Sequence, residues 1–265
     1  MTARASIRPY LNQAYLLGLL MVAVGLTLSP FLMGMSQFWL VLVWLVDAYT
    51  PPFKGGGGIK TKLSRFWHNK AAVLLVAFYL MHVVGLLWTT DFQYAMKDLR
   101  VKLPILVMPF VLSGMEPLDR KRFNFVMLVY VLSVFIATLF SFVSYLRHDY
   151  EDVREISHFI SHIRFCLNIV FSMAVIGYYI FKRGVSTGST TRKKQGPKPS
   201  APEPVEGPSQ TVPAFGIKMV IDRFLQWFLL LWFAYMIFIL ESLSGYVILL
   251  AVAVVSAVYA FLHWK

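Results

Sequence analysis

Residues 154–170 read REISHFISHIRFCLNIV, and within this stretch the chain changes from a charged segment to an apolar one. Arginine, glutamate and two histidines come first. After Arg164 the sequence stays apolar, apart from Asn168 and Ser172, as far as Tyr178. An apolar segment of this length is typical of a helix that crosses a membrane. The stretch therefore predicts a membrane helix that starts beside a cluster of polar side chains.

The composition of the whole chain agrees with a membrane protein. Hydrophobic residues make up 58% of the 265 residues and charged residues only 14%, whereas soluble domains carry about 25% charged residues. Aromatic residues reach 16%, which suits a helix bundle whose ends lie in the membrane interface. The single cysteine, Cys166, excludes an intrachain disulfide and a cysteine-based metal site.

Eight apolar segments are predicted to be membrane spans, although the fourth is short. They cover residues 11–28, 31–49, 71–89, 103–114, 123–145, 163–181, 219–240 and 244–262. LSPF (28–31) predicts a tight turn between the first two, and Pro104 and Pro109 predict a kink in the fourth. The predicted fold class is an all-α, polytopic transmembrane helix bundle of about eight spans.

Basic residues are distributed unevenly across these spans. With the N-terminus in the cytoplasm, 19 of the 25 Lys and Arg residues fall on the cytoplasmic side. The external side keeps Lys97, Arg100, Lys102, Arg147, Arg154 and Arg164. Acidic residues divide almost evenly, so only the basic residues are biased, as the positive-inside rule requires. We therefore predict that both termini are cytoplasmic, and that the net charge of +12 reflects topology rather than nucleic-acid binding.

Three regions are predicted along the chain. Residues 1–183 form a membrane bundle of about six spans, residues 184–217 a disordered cytoplasmic linker, and residues 218–265 a two-span hairpin. The linker is rich in Pro, Ser, Thr, Gly and charge, so it cannot bury a core. KGGGGIK (54–60) is also predicted to be a flexible linker. The chain has no phosphate-binding loop, dinucleotide-binding motif or zinc-protease motif, and no cofactor is predicted.

The start of the sixth span is a candidate anion site. On this topology it faces the external side, and Ser161 as the N-cap puts Arg164 at the third helical position. Free N–H groups and the helix dipole favour an anion there, and a diphosphate suits an adjacent arginine. The alternative is an interfacial anchor, with Arg164 reaching the headgroups. His158 and His162 share a face if the segment is helical, but two histidines make a weak metal site, and no metal is predicted.

A second external cluster lies in DFQYAMKDLRVKLP (91–104). Lys97, Arg100 and Lys102 precede the short fourth span there. They form either a second cationic wall of a phosphate site or one face of a surface helix whose charges pair with its own aspartates. Both interpretations stay open at this point.

A third external cluster is LESLSGYV (240–247), between the seventh and eighth spans. Glu241, Ser242 and Ser244 are candidate neighbours of the site, and a plain hairpin turn is the alternative. Two ionisable residues also fall within apolar spans. Asp47 is predicted to be interfacial, and His82 to be a hydrogen-bonded core histidine.

Three of these segments resemble the O-antigen ligase and O-antigen polymerase family. They are ISHIRFCLNIVFSMAV (160–175), FILESLSGYVILLAVAVV (238–255) and KDLRVKLPILVMPFVL (97–112). The resemblance implies a polytopic bundle in the bacterial inner membrane that transfers glycan from undecaprenyl diphosphate on the periplasmic face, without metal or nucleotide sugar. The acceptor is lipid A–core for a ligase and another lipid-linked glycan for a polymerase. Arg164 matches the family arginine at the outer start of its helix, which implies a contact with the donor diphosphate.

The chain departs from the family pattern at two places. Leu243 stands where the family often has an arginine in the second motif. The family's large periplasmic loop, which carries another arginine and the histidine of the acceptor step, would follow the last span. None of the six histidines matches that one, so the catalytic residue is unknown and a truncated, inactive member is one expectation.

Two other functions remain as alternatives. A transporter of anionic lipid or solute needs ionisable residues along its route, and the predicted spans hold few besides Asp47 and His82. A noncatalytic membrane scaffold is the other alternative. The expected partners are an undecaprenyl-diphosphate-linked glycan, a lipid A–core or lipid-linked glycan acceptor, and membrane lipid.

Overall fold

The computed structural model describes residues 7–49, 58–147, 153–192 and 223–262. In these residues the chain is all-helical and contains no strand. The α-helices are α1 (Ile7–Leu28), α2 (Pro30–Tyr49), α3 (Ile59–His68), α4 (Lys70–Gly85), α5 (Phe92–Gly114), α6 (Arg120–Arg147), α7 (His162–Arg192), α8 (Arg223–Ile239) and α9 (Leu243–Leu262). A 3₁₀ turn follows α4 at Leu86–Trp88, and another precedes α7 at Val153–Ile156.

Five segments are long and apolar enough to cross a membrane. They are Pro9–Leu28, Pro30–Tyr49, Lys70–Trp88, Arg120–Arg147 and His162–Phe181. Shorter apolar helical segments cover Phe224–Ile239 and Leu243–Val255. These helices support a multi-pass membrane protein, and the predicted count of eight spans and the orientation of the termini stay predictions.

The predicted fourth span is the second half of α5, which contains both prolines. Residues 103–114 reach only about 18 Å at the rise of an α-helix, short of the ~30 Å of a bilayer core. The first half of α5 is charged and does not lengthen the apolar segment.

The first two helices form the predicted hairpin. α1 ends at Leu28 and α2 begins at Pro30, so Ser29 alone connects them. The Ser29 hydroxyl accepts a hydrogen bond from the N–H of Leu32 (3.3 Å), and proline suits the first helical position because it needs no donor there. The tight turn predicted at 28–31 is confirmed.

Glycines let α1 and α2 approach closely. A Cβ on Gly25 would lie 2.6 Å from the backbone nitrogen of Met33, and one on Gly18 would lie 2.6 Å from Leu40 Cδ2. The indole of Trp39 also donates to the carbonyl of Ala14 (2.8 Å). Small residues at helix contacts are the usual means of close packing in membranes, where no hydrophobic force joins the helices.

The chain divides into two compact units, residues 1–133 and 134–265, with the division inside α6. The predicted region boundaries at 183 and 217 stay predictions. α7 continues to Arg192 and so includes the first residues of the predicted linker, while residues 193–217 lie outside the described part of the chain.

The first unit contains α3, a helix that the sequence does not predict. α3 packs against α2, α4 and α5, with Lys62 and Phe66 buried. Its first two residues belong to the predicted flexible stretch 54–60, of which 54–57 lie outside the described residues. Its ten residues mix polar and apolar positions, and no continuous apolar segment marks them as a helix.

The second unit is built around α7, which packs against α8 and α9. Its core includes Phe165, Ile169 and Val170 of α7 and Phe233 and Met236 of α8, all at most 2% exposed. The indole of Trp232 donates to the hydroxyl of Thr138 (2.9 Å). This hydrogen bond joins α8 to the second half of α6.

Candidate functional site

The first turn of α7 has the geometry that the sequence predicts. The helix begins at His162, and the N–H of Phe165 donates to the carbonyl of Ser161 (3.0 Å). Ser161 therefore stands at the N-cap position and Arg164 at the third helical position. The side chain of Arg164 is exposed, so its guanidinium is available to an external anion.

The two histidines do not share a helical face, because the segment between them is not helical. His158 is exposed in a non-helical segment, whereas His162 is the first residue of α7 and is half-buried. The hydroxyl of Ser157 donates to the carbonyl of Ile160, a local turn that competes with helix. The helix therefore begins after His158, and the four-residue spacing does not align the two rings.

The turn between α8 and α9 is stabilised by serine hydroxyls. The Ser242 hydroxyl accepts from the N–H of Gly245 (3.3 Å) and lies 2.9 Å from the Ser244 hydroxyl. Ser242 is thus the N-cap of α9. Glu241 is exposed and has a φ of 45°, a left-handed conformation that ends α8 and reverses the chain.

The start of α7 and the start of α9 lie side by side. A Cβ on Gly245 would be 3.4 Å from the Cβ of Cys166 and 3.5 Å from the Cβ of Ser242. Two of the three predicted external clusters are therefore neighbours. Arg164 precedes Cys166 by two positions, so it projects from a different face of α7 than the one that lies against Gly245.

This arrangement places two helix N-termini together. The N–H groups in the first turn of a helix have no partner within that helix, and they stand at the positive end of its dipole. Ser242 occupies one N–H group of α9, and the N–H groups in the first turn of α7 lie next to an exposed arginine. The local chemistry therefore favours an anion rather than a cation.

The cluster at 91–104 lies in the first unit, at the start of α5. Asp91 caps the helix by accepting from the N–H of Tyr94 (3.0 Å). Lys102 Nζ lies 2.6 Å from Asp98 Oδ2, so this lysine is neutralised by its own helix. Lys97 and Arg100 are exposed and three positions apart, and they form no ion pair within the described residues.

A buried ion pair in the first unit is absent from the sequence predictions. Lys62 of α3 is only 2% exposed, and its Nζ lies 2.6 Å from Asp47 Oδ2 of α2, which is 29% exposed. The sequence predicts that Asp47 is an interfacial carboxylate and that Lys62 lies in a cytoplasmic segment. The structure adds a partner to both, because α3 turns Lys62 towards α2.

Soft and aromatic groups complete the surroundings of Lys62. Its Nζ lies 3.4 Å from the sulfur of Met115 and 5.2 Å from the ring centroid of Trp44. A Cβ on Gly114 would be 2.5 Å from Trp44 Nε1, so only glycine lets α5 approach this indole. The ammonium group is therefore held by one carboxylate, one sulfur and one π face.

One feature of the sequence could have indicated that Lys62 is buried. Lys62 precedes Phe66 by four residues, which puts a lysine on the same helical face as an aromatic side chain. Nothing in the sequence identifies Asp47 as the partner, because that depends on how α2 and α3 pack.

His82 is hydrogen-bonded, as predicted, but it does not lie in a core. Its Nδ1 is 2.9 Å from the carbonyl of Phe78, and its ring contacts the Phe78 ring edge-to-face at 4.8 Å. The residue before it and the two residues after it are exposed, so this part of α4 is a surface of the unit.

Among the described residues, no three His, Cys, Asp or Glu side chains are close enough to hold a metal ion. Comparisons with protein-family models, curated proteins and solved structures find no match to this chain. The resemblance to the O-antigen ligase and polymerase family is therefore carried by the sequence motifs alone.

Proposed function

We propose that the protein transfers glycan from undecaprenyl diphosphate to lipid A–core on the periplasmic face of the bacterial inner membrane, in lipopolysaccharide biosynthesis. The observation that carries the proposal is the exposed Arg164 at the third position of α7. A guanidinium there adds a full charge to the positive end of the helix, and it binds phosphate oxygens in a bidentate way. The resemblance of residues 160–175 and 238–255 to the family supports the same role.

The proposed donor site has unequal contributors. Arg164 makes the principal diphosphate contact, and the neighbouring N-terminus of α9 adds positive potential. Arg100 and Lys97 of the first unit stay predicted diphosphate-binding residues, and both are exposed. Lys102 is the weakest of the predicted residues, since Asp98 already neutralises it at 2.6 Å.

The other predicted site residues have supporting roles in this proposal. His158, His162 and Glu241 lie at the same helix ends as the diphosphate contact. The hydroxyls of Ser242 and Ser244 bond each other, and they shape the turn rather than contact the donor. No residue is assigned to activate the acceptor.

The proposed topology has eight spans with both termini in the cytoplasm. The remaining three spans of this topology are the second half of α5, α8 and α9, in addition to the five candidate spans. The proposed topology puts Asp47, Lys62 and Met115 on the cytoplasmic side. Contacts among these three residues, which join α2, α3 and the end of α5, support this assignment. Alkaline phosphatase fused after Arg147 is expected to be active and green fluorescent protein fused after Arg192 to be fluorescent; the opposite pair of results contradicts the topology.

The function is tested by donor binding and by complementation. Purified protein is titrated with undecaprenyl diphosphate, and Arg164→Ala is expected to weaken binding by roughly 10- to 150-fold, the loss of a charge-assisted contact. Arg164→Lys keeps part of the affinity. Arg147→Ala, which removes another exposed arginine of the same unit, is the matched control and leaves affinity unchanged.

Complementation separates transfer from binding. The chain is expressed in a bacterium without its own ligase, and the lipopolysaccharide is resolved on a gel. A restored ladder that disappears with Arg164→Ala supports the ligase. A ladder restored only in a strain without its polymerase supports the polymerase instead. Donor binding without any ladder identifies an inactive member, and equal binding by Arg164→Ala contradicts the proposed site.

A further inference from the structure

α3 joins two candidate spans but is too short to be one. Its ten residues reach about 15 Å, half of a bilayer core. α2 ends at Tyr49, and α4 begins at Lys70. If α2 and α4 both cross the bilayer, α3 therefore lies on the membrane surface where α2 ends and α4 begins.

The side chains of α3 divide into three faces. Lys62 and Phe66 are buried towards the protein, and the Phe66 ring lies 5.2 Å from that of Phe110 in α5. Ile59, Leu63 and Trp67, spaced by four residues, form an exposed apolar stripe, with exposures of 51%, 41% and 62%.

Basic residues flank the apolar stripe of α3 and occupy its third face. Lys60 and His68 are exposed, Arg65 is half-buried, and Lys70 follows at the start of α4. The sequence contains no acidic residue between Asp47 and Asp91, and Asp47 is occupied by Lys62. Within the described residues, Lys60, Arg65 and Lys70 form no ion pair. Their charge is therefore available to an external anion.

α3 differs from the neighbouring helix α4 in the distribution of its charged residues. α4 also exposes large apolar side chains, but between Ala71 and Met81 it has no charged residue on any face. A helix that is apolar all round suits the bilayer core, whereas an apolar stripe flanked by basic residues suits the interface. A tryptophan on the stripe fits the same depth, because indole rings favour the headgroup level.

We propose that α3 is an interfacial helix that binds anionic phospholipid. Ile59, Leu63 and Trp67 enter the acyl-chain boundary, and Lys60, Arg65 and Lys70 contact lipid phosphates. The buried pair of Lys62 with Asp47 sets the rotation of α3, so that the stripe faces away from α2 and α5. This inference concerns the attachment of the first unit to lipid and does not depend on the proposed glycan transfer.

Spin labels test whether the stripe enters lipid. In a Cys166→Ser background, single cysteines at Leu63 and Trp67 on the stripe, and at Thr61 and His68 opposite, are labelled in vesicles of phosphatidylcholine with phosphatidylglycerol. Stripe labels are expected to be relaxed more by oxygen than by a water-soluble nickel chelate, and opposite labels the reverse. Equal nickel access at all four sites overturns the proposal. Stripe labels shielded from both reagents also overturn it, because a protein then covers the stripe.

Lipid titration tests the choice of headgroup. The full chain in neutral detergent is titrated with fluorescent phosphatidylglycerol and, separately, with phosphatidylcholine. Replacing Lys60, Arg65 and Lys70 with glutamine is expected to weaken phosphatidylglycerol binding by about fivefold for each cation removed. The charge-conserving variant Lys60→Arg, Arg65→Lys, Lys70→Arg keeps the affinity.

A matched control removes the same charge elsewhere. Arg120, Lys121 and Arg122 at the start of α6 are replaced with glutamine, and this variant is expected to keep most of the affinity. Equal losses in the two triple variants overturn the α3 site, because the effect is then one of net charge. Equal binding of the two lipids by the unmodified chain overturns it as well.

Discussion

Two lysine–aspartate pairs in the first unit have the same separation and different surroundings. Lys62 and Asp47 lie 2.6 Å apart, with exposures of 2% and 29%, and Lys102 and Asp98 also lie 2.6 Å apart, with exposures of 32% and 35%. The first pair joins two helices, whereas the second lies within one. Water solvates both members of the second pair when they separate, but Lys62 has no access to water. Burial, rather than distance, therefore decides how much the protein loses with each pair.

The largest expected effect is that of Asp47→Asn. The substitution replaces the carboxylate with a neutral amide, so the buried ammonium loses its counter-charge and the free energy of unfolding is expected to fall by about 3–5 kcal/mol. Unfolding in mixed micelles titrated with dodecyl sulfate measures this change. A loss below about 1 kcal/mol would show that Lys62 reaches water, and would remove the contrast with the exposed pair.

Lys62→Met is expected to cost less, about 1–3 kcal/mol. The methionine side chain fits beside Met115, and the abandoned Asp47 is exposed enough to be hydrated. The double variant with Asp47→Asn then loses less than the sum of the two single changes, and a double-mutant cycle in the same micelles measures the difference. Additive losses would indicate that the two side chains do not interact.

Gly114→Ala tests the close packing of α5 against Trp44, beside the buried ion pair. The new Cβ would lie 2.5 Å from Trp44 Nε1, and Trp44 is held by the Phe110 ring at 5.2 Å, so overpacking is expected to cost about 1–3 kcal/mol. Gly34→Ala is the control, because nothing lies within 4 Å of its Cβ. That change is expected to stabilise α2 slightly, by up to ~1 kcal/mol. Equal effects of the two alanines would contradict the close contact of α5 with Trp44.

The smallest effect is expected for Asp98→Asn in the exposed pair. An i,i+4 pair at a helix surface contributes about 0.3–0.5 kcal/mol, and added salt screens part of it. The difference between Asp98→Asn and the unmodified chain should therefore shrink as salt rises, whereas that for Asp47→Asn should persist. A salt-independent loss above about 1 kcal/mol would place the exposed pair in the same class as the buried one.

The sequence predicts the apolar helices well because each carries its signal locally. The turn at 28–31 combines a serine cap with a proline at the first helical position, and the start of α7 combines a cap with an apolar segment. Neither requires knowledge of neighbouring helices. The fourth span is the prediction with the least support. Its apolar part is too short to cross a bilayer core, and the charged residues before it in α5 do not extend that part.

The candidate donor site is only partly predictable from the sequence. The helical position of Arg164 follows from the order of residues, and the structure agrees with it. The contact between Cys166 and the Ser242–Gly245 turn does not, because these residues are distant in sequence and no pattern joins them. His158 and His162 show the converse, since their spacing suggests a shared face until the local turn at Ser157 delays the start of the helix.

By itself the sequence predicts an all-helical membrane protein, because the length of the apolar segments is a property of the chain alone, and the described residues are all-helical. It also determines which cations stand at helix starts. Only the tertiary structure decides which charges are neutralised. Lys62 and Lys102 are both lysines near apolar helices, yet packing of α3 between α2 and α5 removes water from one of them. Solvation depends on every neighbouring helix at once, and that information is absent from any single stretch of residues.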